Sequence, residues 1–544
     1  MDVALLSTGP AASAARQALD ETDLDVEQTA SVEGADDVIA IAESGSDALL
    51  DVDRRCRKHD RSWLAVELGG IAGHGVVEFA ITRIDGSPCY RCLCDRVGAT
   101  TDPTPVEEIA DPVAHQAGAT AARRSYERLT GTGDPAGRVV ESPYAERRLL
   151  PVPGCDCLDA PTADPPSVED ALDPLERAEI GRDARVGLVT SAGELETDPL
   201  PYHLAELADL SAVIDRTPRL QAAGVAPEWQ QASMAALGEA YERYAAAAAT
   251  PVDREATPAE TVDPSAFVDP ADPDAAGWMP ATRLDDERVA IPADRVVYPA
   301  PDGATGTTTG LALGDDRTDA IRRGLLEVIE RDAAMLFWYS TADPLGLDVR
   351  DDRFRAIVDR ISGAVSVTPL LVTQDIDVPV VAVAVHREEW PEFAIASAAA
   401  LDPVAAARDA LREAVQNWME LRRMGRADAE GGHARYADRP PAVAELLDPE
   451  RSVPAAGLGP DPVPTGDDAI DAIADRLDAA DLDPFAADLT TADLAAMGFS
   501  AVRAVVPGAQ PWADANLPFG DRARQVPRSM GFEPRLDRER HPFP

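Results

Sequence analysis

Apolar and polar positions alternate with two different periods along this chain. Over residues 1 to about 98, short apolar runs with strand character alternate with helical patterns. The spacing predicts a strand over 2–8, a helix over 11–19, a strand over 37–42, a helix over 46–58 and strands over 63–68 and 76–81. That alternation describes an α/β unit. Its first turn, STGPAASA, has nothing like a GxGxxG loop, so this unit is a poor place for a nucleotide.

A different pattern governs 310–338, GLALGDDRTDAIRRGLLEVIERDAAMLFW, which is apolar nearly all round apart from Glu327, Glu330 and Arg331 at helical spacing. A helix of this kind is buried, and buried acids must be paired, protonated or bound to a cation. The same spacing occurs in GEAYERYA, where Glu239, Glu242 and Arg243 fall on a helix over 235–249. A third helix, 402–424, carries Glu413 and Gln416 three apart in LREAVQNWMELRR. Taken singly, each Glu/Arg pair is explained by a surface i,i+4 ion pair worth about 0.3–0.5 kcal/mol. Two copies on otherwise apolar helices favour burial instead, where uncompensated carboxylates cost several kcal/mol each. Magnesium ions bridging a triphosphate would satisfy such acids, with the arginines pairing to phosphate oxygens. Walker-type glycine loops are absent from the sequence.

Between these regions the pattern weakens. A weakly helical polar stretch follows residue 94, and the Pro- and Asp-rich segment 161–174 reads as a linker. The organisation expected is 1–98, a connecting segment 99–160, the linker 161–174 and a larger domain 175–544. Within that domain 247–277 reads as a surface loop or insertion, and 427–468 as lying outside the core.

Charge narrows the function class. The chain has a formal net charge of -47, and Lys58 is its single lysine. An acidic, arginine-only surface suits a protein working in molar salt, where self-repulsion is screened within about 3 Å. It excludes a general nucleic-acid binder, which needs a basic footprint. With no apolar run of about 18 residues and no signal-peptide pattern, the expectation is a soluble, cytoplasmic protein without membrane contact.

Six cysteines add candidate chemistry. Cys89 and Cys92 form a CxxC, and Cys155 and Cys157 a CxC in PVPGCDCLD. Together they supply the four thiolates of a tetrahedral structural Zn2+ site, offered from two turns. Unligated buried thiols are the alternative, with Cys94, His74 and His115 as competing ligands. Cys56 reads as a lone thiol on its helix.

GEAYERYA, TTGLALGDDRTDAIRRGLLEVIERDA, LDPVAAARDALREAVQ and the HPFP ending, in that order, make residues 170–544 resemble the YcaO family of ATP-dependent enzymes that activate peptide-backbone amides. PCYRCL and GCDCL make 1–160 resemble the zinc-bearing, degenerate E1/ThiF-like domain fused to YcaO in cyclodehydratases of thiazole/oxazole-modified peptides. The fold implied is α/β (α+β), a small α/β domain with a zinc tetrathiolate module followed by a larger mixed α/β domain. The resemblance places magnesium and phosphate ligands on Glu239, Glu242, Glu327 and Glu330, with Arg243 and Arg331 completing the motifs and Glu413 matching the third, nucleotide-binding motif. It gives Gln416 and the terminal Pro544 catalytic roles and leaves Asp332 structural. One departure stands out: Val225, in AAGVAPE, occupies a position where the family often has the lysine of Gly-Lys-Gly.

The activity implied is cyclodehydration of Cys, Ser or Thr residues of a ribosomal precursor peptide to azolines, using ATP and Mg2+. Attack by external sulfide, giving a thioamide, and a non-catalytic peptide-docking scaffold remain open as alternatives. A homodimer and a flavin-dependent dehydrogenase partner are implied by the same resemblance.

Overall fold

The computed structural model describes residues 1–133, 135–143, 145–158, 172–214, 216–254, 260–269, 276–285, 287–300, 306–429, 433–512 and 518–543. Most of the expected linker, 161–171, lies outside them. The chain divides into two compact units. One comprises 1–191, 206–220 and 491–498; the other comprises 192–205, 221–490 and 499–544.

The first unit is built on a seven-stranded sheet. Strands Asp25–Gln28, Asp2–Leu6, Asp37–Glu43 and Trp63–Leu68 run parallel, and Phe79–Ile84, Arg138–Glu141 and Ala145–Arg148 continue the sheet antiparallel. The helices Pro10–Asp20 and Asp47–Lys58 fall where the periodicity put them. The strand expected over 76–81 instead begins at Phe79, because Gly75 and Val76 turn to bond the Thr104 and His74 carbonyls at 3.0 and 2.9 Å. Asp25–Gln28 escaped notice because DVEQ is short and acidic. The polar stretch after residue 94 contains the helix Asp111–Leu129, whose buried face is Ala114, Ala117 and Ala121 packed on Ala11, Ala12 and Ala15. Small residues make a real core face here while giving a weak hydrophobic signal.

The second unit holds two five-stranded sheets. One is antiparallel, in the order Arg288–Pro292, Trp278–Arg283, Phe485–Asp488, Ser500–Val505, Leu311–Gly314. The other runs Phe393–Ala399, Val380–His386, Ser366–Leu371, Leu345–Asp348, Arg451–Pro454, with the last pair parallel. Helix Arg317–Trp338 contributes buried residues from Ala320 to Trp338 to a core shared with strands of both sheets, as its all-round apolar pattern predicts. Helix Pro403–Met424 packs its alanine-rich face against alternate residues of the second sheet, such as Val381, Val383 and Ala396. The expectation that 427–468 lies outside the core is overturned. Tyr436, Ala437, Val443 and Leu446 are buried and Arg451–Pro454 is a sheet strand; irregular proline-broken spacing hid them.

Candidate functional site

Three helices of the second unit bring the acidic residues together. Trp229–Ala248 carries Glu239, Glu242 and Arg243; Arg317–Trp338 carries Glu327, Glu330 and Arg331; Pro403–Met424 carries Glu413 and Gln416. The latter two helices are started by side-chain caps: Asp316 accepts from the Asp319 amide at 2.7 Å and Asp402 from the Val404 amide at 2.9 Å.

Within each motif the arginine pairs with the first glutamate. Arg243 lies 2.5 Å from Glu239, and Arg331 lies 2.9 Å from Glu327. Backbone amides fill second positions: Ala223 donates to Glu239 and Gly310 to Glu327, each at 2.9 Å, and Leu313 donates to Glu242 at 3.0 Å. Gly310 is required for this. It has φ +83°, and a Cβ there would meet the Ala504 carbonyl oxygen at 2.2 Å. Glu330 accepts from the Ser397 hydroxyl at 2.7 Å. Gln416 is turned toward Glu420 (3.2 Å), which also accepts from the Tyr202 hydroxyl (3.3 Å).

Electrostatics shows the helices to be in mutual reach. Burial pushes the Glu242 carboxyl up to about 8, with Glu327 and Glu239 adding repulsion against the Leu313 hydrogen bond. Glu330 is raised well above the ordinary carboxylate range, first by desolvation and then by Glu413. Glu413 is exposed, yet the protein around its carboxyl raises it too, chiefly by desolvation, with Glu327 and Glu239 adding to this against Arg331. These acids gain from a cation among them. They do not close on a single point: among the described residues, no three carboxylates have ligand oxygens all within 4.8 Å of one another. A spread donor set of this kind fits ions that share their shell with phosphate oxygens.

Aromatic residues complete the surroundings. The Arg331 guanidinium lies 4.6 Å from the centre of the Trp512 ring, which also packs edge-on with His541 at 4.4 Å and Phe543 at 6.2 Å. Pro544 itself lies outside the described residues. Asp332, the residue after Arg331, is buried and held by Arg522 at 2.7 Å; it accepts from the Gln510 amide at 2.7 Å and so fixes the loop leading to Trp512. Val225 is buried in the core, so the stretch before the first helix presents no cation there. Sequence reasoning missed Ser397, Trp512 and Arg503, of which only Arg503 left a trace, a cation inside the apolar run SAVRAVV.

In the first unit the thiols of Cys89, Cys92, Cys155 and Cys157 all lie within 4.8 Å of one another. Sulfur separations are 3.9 Å for Cys89–Cys92 and 3.6 Å for both Cys89–Cys155 and Cys92–Cys157. A tetrahedron with Zn–S bonds of about 2.3 Å has edges of about 3.8 Å, so the four sulfurs fit the ion. The ligands come from a helix start and a 3-10 turn, since Cys89 caps Tyr90–Thr100 and Cys157 lies in Asp156–Leu158. Cys94, His74 and His115 stand outside the cluster. Cys94 sits near Tyr90 and Glu67, and burial pushes its thiol up to about 12, as it does for Cys56.

Residues 223–510 match the family model described as YcaO cyclodehydratase, ATP- and Mg2+-binding. A protein of Methanothermobacter thermautotrophicus is 32% identical over 208 residues, 34% of this chain and 54% of that protein, so the match spans about half the relative's length. A heterocyclase solved with substrate and cofactor superposes with a TM-score of 0.70 at 17% identity, over 97% of this chain and 83% of that one. The heterocyclase TruD gives 0.62 at 16%, over 97% and 81%. YcaO from Methanopyrus kandleri, bound with AMPPCP and Mg2+, gives 0.50 at 23%, over 61% and 89%. These likenesses show a shared fold. No helix among the described residues is long and apolar enough to cross a membrane.

Proposed function

Because this chain belongs to the YcaO family, we propose that it is an ATP-dependent cyclodehydratase that converts Cys, Ser or Thr residues of a ribosomal precursor peptide to azolines. The observation that carries the reading is the convergence of two Glu/Arg pairs with three raised carboxyls from separate helices. Glu239, Glu242, Glu327, Glu330 and Glu413 would hold Mg2+, which when bound neutralises phosphate charge. Arg243 and Arg331 would take phosphate oxygens once released from their glutamates.

In the reaction, a peptide side chain attacks the preceding carbonyl carbon and closes the ring, the resulting oxyanion takes the terminal phosphoryl group of ATP to release ADP, and phosphate then leaves as the former amide nitrogen loses its proton and the C=N bond of the azoline forms. The chain's part is to position the reactants and balance charge. Gln416, oriented by Glu420 and Tyr202, is assigned to the substrate side, and Pro544 to the same site by the family resemblance. The Cys89/Cys92/Cys155/Cys157 cluster is assigned a structural Zn2+ that ties two distant segments of the first unit together. We place the protein in the cytoplasm, acting as a homodimer on a precursor peptide, with a flavin-dependent dehydrogenase as a downstream partner.

The test is incubation with Mg-ATP and Cys/Ser/Thr-rich peptides, followed by mass measurement and ADP detection. Loss of one water per modified residue with peptide-dependent ADP release is expected. Oxygen-to-sulfur exchange in the presence of sulfide would mark a thioamide enzyme, and peptide binding without ADP release a scaffold. Glu327→Gln and Glu330→Gln should each abolish turnover; full activity in both would remove them from the site.

A further inference from the structure

Arg503 is a cation buried where a strand should carry an apolar side chain. It lies on Ser500–Val505, in register with Leu311 and Ala487 of the flanking strands, and is 6% exposed. Its Nη2 donates to the Thr307 carbonyl at 2.8 Å, while Nε and Nη1 have no hydrogen-bond partner among the described residues. A buried donor left without an acceptor is costly, more so when charged, so this arrangement is unfavourable unless something else meets it. Burial lowers the Arg503 pKa to about 10, against the attraction of Glu327.

The side chain lines a cavity of about 100 Å³ together with Thr307, Thr309, Val328 and Gln510. That is several times the ~10–15 Å³ that admits one water. The Thr309 hydroxyl is buried and also has no partner among the described residues. The acids on the wall, Asp294 and Asp269, lie 3.3 and 3.8 Å from Arg295 and so are already compensated. Val328 joins the cavity to the acidic centre, since it follows Glu327, and Thr309 precedes the glycine whose amide holds Glu327. The cavity thus offers unmet donors beside the place where phosphate chemistry is proposed.

We propose that Arg503 and Thr309 form an oxyanion subsite that takes a phosphate group. The free Nε–H and Nη1–H point to different sides of the guanidinium, so one of them meets one oxygen of a tetrahedral anion and the Thr309 hydroxyl meets a second. The anion is either the terminal phosphate of bound nucleotide or the free phosphate released by the reaction. Its assignment to one of these rests on the ATP-dependent reading above; the subsite itself does not.

Titration calorimetry of the full chain with inorganic phosphate, Mg-ATP and Mg-ADP tests this, for wild type, Arg503→Met, Arg503→Lys and Thr309→Val. Loss of a charge-assisted hydrogen bond corresponds to a roughly 10- to 100-fold weaker affinity. If the subsite holds the nucleotide's terminal phosphate, R503M weakens Mg-ATP by that factor and leaves Mg-ADP unchanged. If it holds free phosphate, R503M loses phosphate binding and keeps both nucleotides. Should R503M fail to fold, R503K and T309V carry the test, each expected to weaken the same ligand several-fold while melting like wild type. The inference is overturned if the folded variants bind all three ligands as wild type does, or if phosphate does not bind wild type and Mg-ATP affinity is indifferent to the substitutions. Wild type that binds phosphate but not Mg-ATP would refute the proposed function and leave the subsite standing.

Discussion

Replacing Glu242 with Gln separates the cost of the acidic centre from its use. In the folded chain the Glu242 carboxyl is raised to about 8 from an ordinary value of 4.5, chiefly by burial. The folded state therefore holds a proton that the unfolded chain has released across this whole interval. Stability from this group is present below about pH 4.5 and is lost as pH rises, at about 1.4 kcal/mol per unit until ionisation sets in near pH 8. Between pH 6 and pH 8 the loss is at most about 2 kcal/mol. Gln keeps the shape and can still accept the Leu313 amide bond, which is 3.0 Å long in the native chain, but it does not titrate in this range. Urea unfolding of wild type and E242Q, with chelator at pH 6, 7 and 8, should show the wild-type midpoint falling and the variant falling less steeply. Mg-ATP added at pH 8 should raise the wild-type midpoint more than that of the variant, which lacks one of the acids. Parallel pH slopes in the two proteins would refute the argument.

Other expectations follow from neighbouring contacts. Ser397→Ala removes the hydroxyl 2.7 Å from Glu330, which lowers that carboxyl's pKa, so the pH profile of Mg2+-dependent turnover should move to higher pH. Asp332→Ala leaves half-buried Arg522 with only Asp375 as a carboxylate partner and the Gln510 amide without its acceptor, and should cost about 1–3 kcal/mol in chemical denaturation, with a change in Trp512 fluorescence as its loop loosens. Gly310→Ala cannot be accommodated, since its Cβ would fall 2.2 Å from the Ala504 carbonyl oxygen; loss of soluble protein or of Mg-ATP binding is expected by calorimetry. Cys89→Ser with Cys155→Ser should remove bound zinc by metal analysis and lower the melting temperature of the first unit, whereas Cys94→Ser should keep the metal.

The parts legible in the sequence were those with a long-range period or a fixed chemical spacing. Helix Arg317–Trp338 declared itself because apolar residues on every side leave no solvent face, and its two acids then demanded an explanation. The cysteine set was legible because thiol spacing is a chemical signal independent of fold. Helix Asp111–Leu129 and the interval 427–468 were obscured for opposite reasons, a core face made of alanine in one and apolar residues scattered among prolines in the other. Ser397 and Trp512 had no local signature, because each acquires its place only when separate segments pack. Arg503 could have been suspected from the rule that a charge in an apolar strand needs a counterpart.

The arginines of the two motifs act as internal counter-ions. With Arg243 on Glu239 and Arg331 on Glu327, a divalent ion arriving alone must displace a guanidinium and leave it unpaired in a half-buried cleft. A phosphate chain arriving alone must draw an arginine away and leave its carboxylate exposed to the other acids. Arriving together, each ligand takes the partner the other sets free, so neither displacement is wasted. If the centre takes both ligands as proposed, the resting ion pairs would make cation and phosphate binding mutually dependent, with a coupling on the order of 1–3 kcal/mol that each ligand exerts equally on the other. In concentrated monovalent salt such a centre would disfavour single ions and respond to the magnesium–phosphate pair.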